Sequence, residues 1–307
     1  MEAVIDRIRD VEYAPLARML THVLGAGGKR MRPALALLSG SFATYDLDLL
    51  VPLAASVEVL HTASLVHDDV IDGSPTRRGR ATANALFNNA PSVMLGDLMF
   101  AHASELIART GNIRVIRMFS HTLMRMTTGE LDQDLSAFDV SKRIGDYLRR
   151  IGGKTASLIE AACEGGAIVS EAPEPWIDAL RDYGFNLGMA FQIVDDILDF
   201  TGDEATLGKP AGSDLREGTL TLPSLYVLED DPSPTNPVRR LFAAQRNREQ
   251  RLAEAMSCVL AGDAIPRARG MADEFGDRAR AALTSLPDTD GRHTLERLIG
   301  YVLERNS

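Results

Sequence analysis

Apolar positions along this chain gather in long runs separated by glycine and proline, and the runs have the period of helices. Val51 to Asp72 is almost continuously apolar until Gly73 and Pro75 stop it. Ala90 to Arg109 is a second run, ended by Gly111, and Ile113 to Leu131 follows at once. Ile144 to Ala167 and Trp176 to Phe200 read as further helices, the latter halted near Gly202. Pro223 to Glu229 is shorter and is cut off by Asp230-Asp231-Pro232-Ser233-Pro234, which reads as a surface loop. Amphipathic stretches follow at Arg239 to Leu260, Ile265 to Leu286 and Gly291 to Arg305. No segment alternates with the period of a strand, and no repeat at solenoid periods or low-complexity tract is visible. The pattern predicts an all-α fold in which residues 1–307 form a single domain.

Composition agrees with that reading. Apolar residues make up 45% of the 307, enough to bury one large helical core, and only 6% are aromatic. A net charge of -10 argues against a general nucleic-acid binder, but leaves room for an anionic substrate met by local positive charge. The two cysteines, Cys163 and Cys258, have neither metal-ligand nor disulfide spacing and predict reduced thiols in a cytoplasmic protein. The N-terminus has no apolar signal core, and no uninterrupted apolar run approaches the roughly 20 residues of a bilayer span, so a soluble protein is expected.

Two acidic clusters repeat one spacing. Asp68, Asp69 and Asp72 stand at i, i+1 and i+4, and Asp195, Asp196 and Asp199 do the same. On a helix the first and last of each trio share a face. Both trios fall near the C-terminal end of an apolar helix, where the backbone dipole already carries partial negative charge. Mutual repulsion and apolar neighbours add to the cost. A hard divalent cation removes all three penalties, and Mg²⁺ suits oxygen ligands shared with water and phosphate. Solvated acidic helix ends are the plain alternative, and the duplication argues against it.

Basic groups lie close by in sequence. Gly27-Gly28-Lys29-Arg30-Met31-Arg32-Pro33 is a basic turn just before an apolar helix, suited to an anion. Thr76-Arg77-Arg78-Gly79-Arg80 follows the first acidic trio, and Lys209-Pro210 lies beyond the second. Gly152-Gly153-Lys154-Thr155 opens a further apolar helix, but it lacks the first glycine and the preceding strand of a phosphate-binding P-loop.

Taken in order, these pieces resemble the trans-prenyl diphosphate synthases, or polyprenyl synthetases. The resemblance rests on Gly28-Lys29-Arg30-Met31-Arg32-Pro33, His61 to Asp72, Arg77-Arg78-Gly79, Gly96-Asp97, Gly129-Glu130-Leu131, Gly153-Lys154-Thr155, Phe191 to Asp199 and Gly208-Lys209. It implies a helical bundle around a deep central cavity, condensing an allylic diphosphate with isopentenyl diphosphate. It implies three Mg²⁺ per active site, two held by Asp68, Asp69 and Asp72 and one by Asp195 with Asp196 and Asp199 in support. Arg77, Lys154 and Lys209 would contact the allylic diphosphate, with Thr155, Gln192 and Gln133 as supporting polar groups. Lys29, Arg32, His61, Arg78 and Arg305 would hold isopentenyl diphosphate. The family also implies a homodimer, no nucleic-acid partner and only transient membrane contact during product release. One departure stands out: Asp214-Leu215-Arg216-Glu217-Gly218 is followed by Thr219 where the family often has lysine, with Arg216 the nearby cation available to replace it.

The same resemblance bears on product length. Ala63 and Ser64 lie one turn before the first acidic trio, and one turn of about 5.4 Å approximates one isoprene unit. An aromatic there stops the chain early in the family, and none occurs from Val51 to Asp72. A long product of roughly six to ten isoprene units (about C30–C50) is expected, with Phe100 and Phe119 as candidate floors. The alternatives are a short-chain synthase of about C15–C20 product and, from another class, a class I terpene cyclase. The basic turn at Lys29 to Arg32 argues against the cyclase, which needs no second diphosphate pocket.

Overall fold

The computed structural model describes residues 1–77, 79–202 and 210–305. The fold is all-α. In chain order the helices are α1 (Glu2–Arg9), α2 (Ala14–Leu24), α3 (Met31–Gly40), α4 (Leu47–Ile71), α5 (Ala83–Phe87), α6 (Asn89–Ala108), α7 (Ile113–Leu135) and α8 (Ile144–Ile151). They continue with α9 (Ser157–Val169), α10 (Glu174–Thr201), α11 (Ser213–Glu217), α12 (Leu222–Asp230), α13 (Pro237–Phe242), α14 (Arg248–Ala261), α15 (Ala264–Leu283) and α16 (Asp290–Glu304). Two compact units emerge: Met1–His121 with Leu158–Arg181 and Ser285–Leu295, and Thr122–Ser157 with Asp182–Thr284 and Glu296–Ser307. The boundary cuts through α7, α10 and α16, passes at the start of α9, and once falls in the connection between α15 and α16.

The first unit is built on α4. Asp46 caps this helix, its carboxylate accepting from the Asp48 N–H at 2.8 Å. From Leu53 to Leu60 every residue is buried, so the polar stripe of a surface helix is missing. By length and composition α4 would pass for a membrane span, yet Glu58 interrupts its apolar run and most of it is buried inside the unit as a core helix. Helix α6 packs on it through Ser92, Leu95, Gly96, Met99, Ala103, Leu106 and Ile107. A Cβ at Gly96 would sit 2.1 Å from the His67 ring, so glycine alone admits that ring. His67 Nε2 then meets the Val93 carbonyl at 2.9 Å, and the ring lies edge-on to Phe100, making His67 a packing residue.

In the second unit the C-terminal part of α10 is the core helix, with Tyr183, Leu187, Ala190, Ile193, Val194 and Ile197 fully buried. Helix α15 buries Ala268, Ala272, Phe275, Ala279 and Leu283, spaced by three or four residues on one face.

Three expectations need correction. The stretch Ile144 to Ala167 is not one α-helix, because Gly152–Ala156 forms a π-turn between α8 and α9. Arg239 to Leu260 is split into α13 and α14, and Asn247 starts the latter in a left-handed conformation (φ 55°) that asparagine tolerates. A two-residue antiparallel ladder, β1 (Thr76–Arg77) with β2 (Arg80–Ala81), occurs where no strand was expected, being too short to alternate visibly.

Candidate active site

In the first unit, α4 ends at the first acidic trio. Asp68 is half-buried, Asp69 buried and Asp72, the C-cap, exposed. Arg77 Nε donates to Asp69 at 2.8 Å. Burial pushes the Asp69 carboxyl above its ordinary value, and the charge and hydrogen bond of Arg77 only partly offset this. The chain beyond is braced by backbone contacts. The Ser74 N–H donates to the Asp69 carbonyl at 3.0 Å, and Asn84 Nδ2 donates to that carbonyl and to that of Ser74.

The β1–β2 ladder ties this end of α4 to the C-terminal end of α2, just before the basic turn. Arg80 donates to the Gly25 carbonyl at 3.2 Å, and His22 meets the Ala81 carbonyl at 2.8 Å. In the turn, Gly27 and Arg30 both have positive φ, Lys29 is exposed and Arg32 half-buried. His61 is half-buried on α4. Arg78 lies outside the described residues, as does Lys209. Of the chain-length candidates, Ala63 is fully buried and Phe119 nearly so. Ser64 is half-buried with its hydroxyl on the His61 carbonyl at 2.8 Å, and Phe100 is half-buried against His67.

In the second unit the acidic trio is divided differently. Asp195 is exposed, whereas Asp196 and Asp199 are buried. Asp196 accepts from Tyr147 Oη and from Gln192 Nε2, each at 2.7 Å, and Gln192 in turn accepts from the Thr155 hydroxyl at 2.7 Å. Burial pushes the Asp196 carboxyl to about 6, aided by the Asp195 charge and opposed by those two hydrogen bonds and by Arg150. Asp199 accepts from the Asp214 N–H through its side chain, at 3.2 Å, and from the Gly212 N–H through its carbonyl, at 2.8 Å. Arg305 donates to Asp195 and to the Phe191 carbonyl, each at 2.9 Å, with its guanidinium 4.0 Å from the Phe191 ring centre.

The π-turn presents Lys154. Its ammonium donates to Glu130 at 2.8 Å and to Gln133 at 3.2 Å. A Cβ at Gly129 would lie 2.7 Å from the Lys154 backbone nitrogen, so glycine is what lets α7 approach the turn. Gly129 and Glu130 therefore have one joint task, to seat and neutralise Lys154. Arg216 pairs with Glu249, and Thr219 donates its N–H to the Asp214 carbonyl. A surface cavity of about 520 Å³ in this unit, lined by Arg239, Arg240, Arg246 and Arg251, contains none of the expected site residues. The sequence reading missed Tyr147, Glu130 as the partner of Lys154, and the buried Glu58 that pairs with Arg30.

Among the described residues, no three His, Cys, Asp or Glu side chains stand close enough to hold a metal ion by themselves. The donor set nevertheless fits a hard divalent ion. All the candidate ligands are carboxylates, Asp72 and Asp195 are exposed, and such ions complete their shell with water and phosphate oxygens.

Comparison with known proteins gives a consistent picture. The model of the polyprenyl synthetase family matches residues 14–259. The chain is 41% identical over 308 residues to "Heptaprenyl diphosphate synthase component 2" of Geobacillus stearothermophilus, covering 100% of this chain and 95% of that protein. It is 41% identical over 301 residues to a chloroplastic "Solanesyl-diphosphate synthase 2" of Oryza sativa subsp. japonica, covering 96% and 73%. Among solved structures, the polyprenyl synthase from Caulobacter crescentus CB15, complexed with calcium and isoprenyl diphosphate, superposes with a TM-score of 0.93 at 36% identity, covering 100% of this chain and 94% of that one.

Proposed function

Because this chain belongs to the polyprenyl synthetase family, we propose that it joins an allylic diphosphate to isopentenyl diphosphate, head to tail, and builds a long-chain all-trans polyprenyl diphosphate. The observation that carries this reading is the display of Asp68, Asp72 and Asp195 on core helices, with Arg77 and Lys154 held beside acidic partners. Relatives named for heptaprenyl and solanesyl products support the long chain.

The residues divide the work. Breaking the allylic C–O bond puts charge on the departing diphosphate, and Arg77 and Lys154 are the described cations assigned to it. Lys209, outside the described residues, joins them. Lys29, Arg32 and His61, with Arg78 outside the described residues, hold isopentenyl diphosphate so that its double bond faces the allylic carbon. Arg305 pairs with Asp195 in the structure and needs to leave it to reach a substrate. Asp68, Asp69, Asp72 and Asp195 would hold the divalent ions, for which we propose Mg²⁺, three per site. Those ions, when bound, neutralise diphosphate charge as Lewis acids. Asp196 and Asp199 support Asp195. Ala63 and Ser64 leave room for a long tail, with Phe100 and Phe119 as the floor.

We further place the whole chain in one domain, because the unit boundary cuts through continuous helices. A homodimer in the cytoplasm completes the proposal. Exposed Val93, Met94 and Ile113 offer apolar surface for dimerisation, and both cysteines are free thiols.

The test incubates the purified chain alone with labelled isopentenyl diphosphate, several allylic primers and Mg²⁺, and reads the products by reversed-phase chromatography. Long-chain diphosphates support the reading. Products limited to three or four isoprene units identify a short-chain synthase, and a cyclic hydrocarbon identifies a cyclase. Inactivity of the chain alone, cured by a second protein, identifies a component enzyme like the heptaprenyl relative. Ala63→Phe or Ser64→Phe should shorten the product, and an unchanged length in both removes the chain-length assignment.

A further inference from the structure

Arg30 is the only residue of the basic turn other than glycine with a left-handed backbone, at φ 49° and ψ 32°, and it is the N-cap of α3. An arginine has no intrinsic reason to sit there, and such strain persists only where surrounding contacts enforce it. The contacts are on its side chain. One guanidinium nitrogen donates to Glu58, Nε donates to Glu2 at 3.1 Å, and Nη2 donates to the Leu24 carbonyl at 3.5 Å.

Glu58 has the complementary anomaly. It is 6% exposed in the middle of α4, among the fully buried Ala54, Ala55, Val59 and Leu60. A carboxylate in such surroundings is costly without a cation against it. Burial acts against the Arg30 charge, but Glu58, followed by Glu2, outweighs it and holds the guanidinium above its ordinary pKa. The strained backbone of one residue and the buried charge of the other thus have a single explanation.

The location gives the pair its meaning. Arg30 lies between Lys29 and Arg32, and Glu58 lies three residues before His61 on α4, within one helical turn. We propose that the Arg30–Glu58 pair positions the isopentenyl diphosphate pocket, locking the turn that carries Lys29 and Arg32 onto α4 at the level of His61. This rests on the assignment of those three residues to isopentenyl diphosphate. Arg30 and Glu58 are positioning residues and touch no substrate.

The experiment separates KM for isopentenyl diphosphate from KM for the allylic primer and from kcat, with thermal melting alongside. Glu58→Gln should raise KM for isopentenyl diphosphate about tenfold while moving the allylic KM and kcat less than about threefold. Arg30→Gly relieves the left-handed strain but leaves Glu58 buried without its cation, so its melting temperature should fall, and it should show the same selective loss in KM. The double variant should be no worse than either single one, because both remove one interaction. Equal effects on both substrates, or a lowered melting temperature with unchanged KM values, make the pair merely structural and overturn the proposal. Lys29→Ala guards the premise. If it raises KM for isopentenyl diphosphate and Glu58→Gln does not, the pocket stands and the positioning role falls. If Lys29→Ala leaves that KM unchanged, the pocket assignment itself fails and takes the proposal with it.

Discussion

The two acidic trios share a spelling and differ in what the fold does with it. At the end of α4 the middle carboxylate, Asp69, is buried against Arg77, while Asp68 is half-buried and Asp72 exposed. On α10 the first carboxylate, Asp195, is exposed and the other two are buried, Asp196 under Tyr147 and Gln192 and Asp199 against backbone N–H groups. The first trio thus turns its i, i+4 pair outward, and the second turns out a single carboxylate on a hydrogen-bonded base. The difference follows from helix position. Asp68 to Asp72 form the last turn of α4, where the helix leaves its packing, whereas Asp195 and Asp196 lie more than a turn inside α10. One trio presents two carboxylates at a helix end, and the other holds one carboxylate out on a hydrogen-bonded base.

The largest expected effect tests which carboxylates meet the substrate complex. Asp68→Asn and Asp195→Asn should each lower kcat by about 10²–10³-fold, the scale for losing one group that stabilises developing charge, with little change in melting temperature. Asp199→Asn should act chiefly on stability, because its carboxylate is spent on the Asp214 N–H. Steady-state kinetics with calorimetry measures both. An Asp195→Asn variant with native kcat would break the comparison at its centre.

Next in size, Tyr147→Phe should destabilise the protein by about 1.5–3 kcal/mol in chemical denaturation, because it strips a hydrogen bond from a buried carboxylate. The first trio offers no equivalent variant, since the partner of Asp69 is a part-exposed arginine.

Much of this was legible in the sequence, for reasons that also mark the limit. Long apolar runs between glycines and prolines gave α4, α6, α7 and α10 to within a few residues, because burial and helix period coincide there. The π-turn at Lys154 was hidden, since one extra residue in a helical turn does not disturb hydrophobic period, although Gly152-Gly153 inside an apolar helix was a signal. Glu58 was visible as a lone acid in an apolar run, but its partner is 28 residues away. The split between exposed and buried aspartates was beyond reach, because identical spacing carries no record of where each helix stops packing.

Asp196→Asn should change stability in the opposite direction to Tyr147→Phe. The folded-state value near 6 lies above the ordinary 3.8, so the folded protein holds this proton more tightly than the unfolded chain does. The associated stability is fully present below the ordinary value and is lost as pH rises through about 6. Asparagine keeps the shape and cannot ionise, so near pH 8 the variant should be more stable by about 1–3 kcal/mol, with no gain below about pH 4. Gln192 must turn its amide over to meet the new N–H₂ group, and the Thr155 hydroxyl, now bonded to Gln192 Oε1, would then act as acceptor. Melting curves across pH decide it, and a uniform loss at all pH values would mean the network cannot reverse.

The smallest effect on stability belongs to Asp69→Asn, and the contrast with Asp196→Asn is its value. Burial raises both carboxyls, so the sign near pH 8 is the same: charge in the folded state is disfavoured, and that part of the stability is lost as pH rises past the folded value. But Asp69 has a full cation against it, and the substitution removes the ion pair together with the buried charge. Arg77 is 37% exposed and can return to water, so the two losses nearly cancel. The contacts that fix this end of α4 use the Asp69 carbonyl, which asparagine keeps. The net change should therefore stay within about 0.5 kcal/mol of zero. A loss above about 1.5 kcal/mol would make Arg77 a structural clamp rather than a cation held ready for diphosphate. The first trio would then be anchored like the second, and the division of labour between them would disappear.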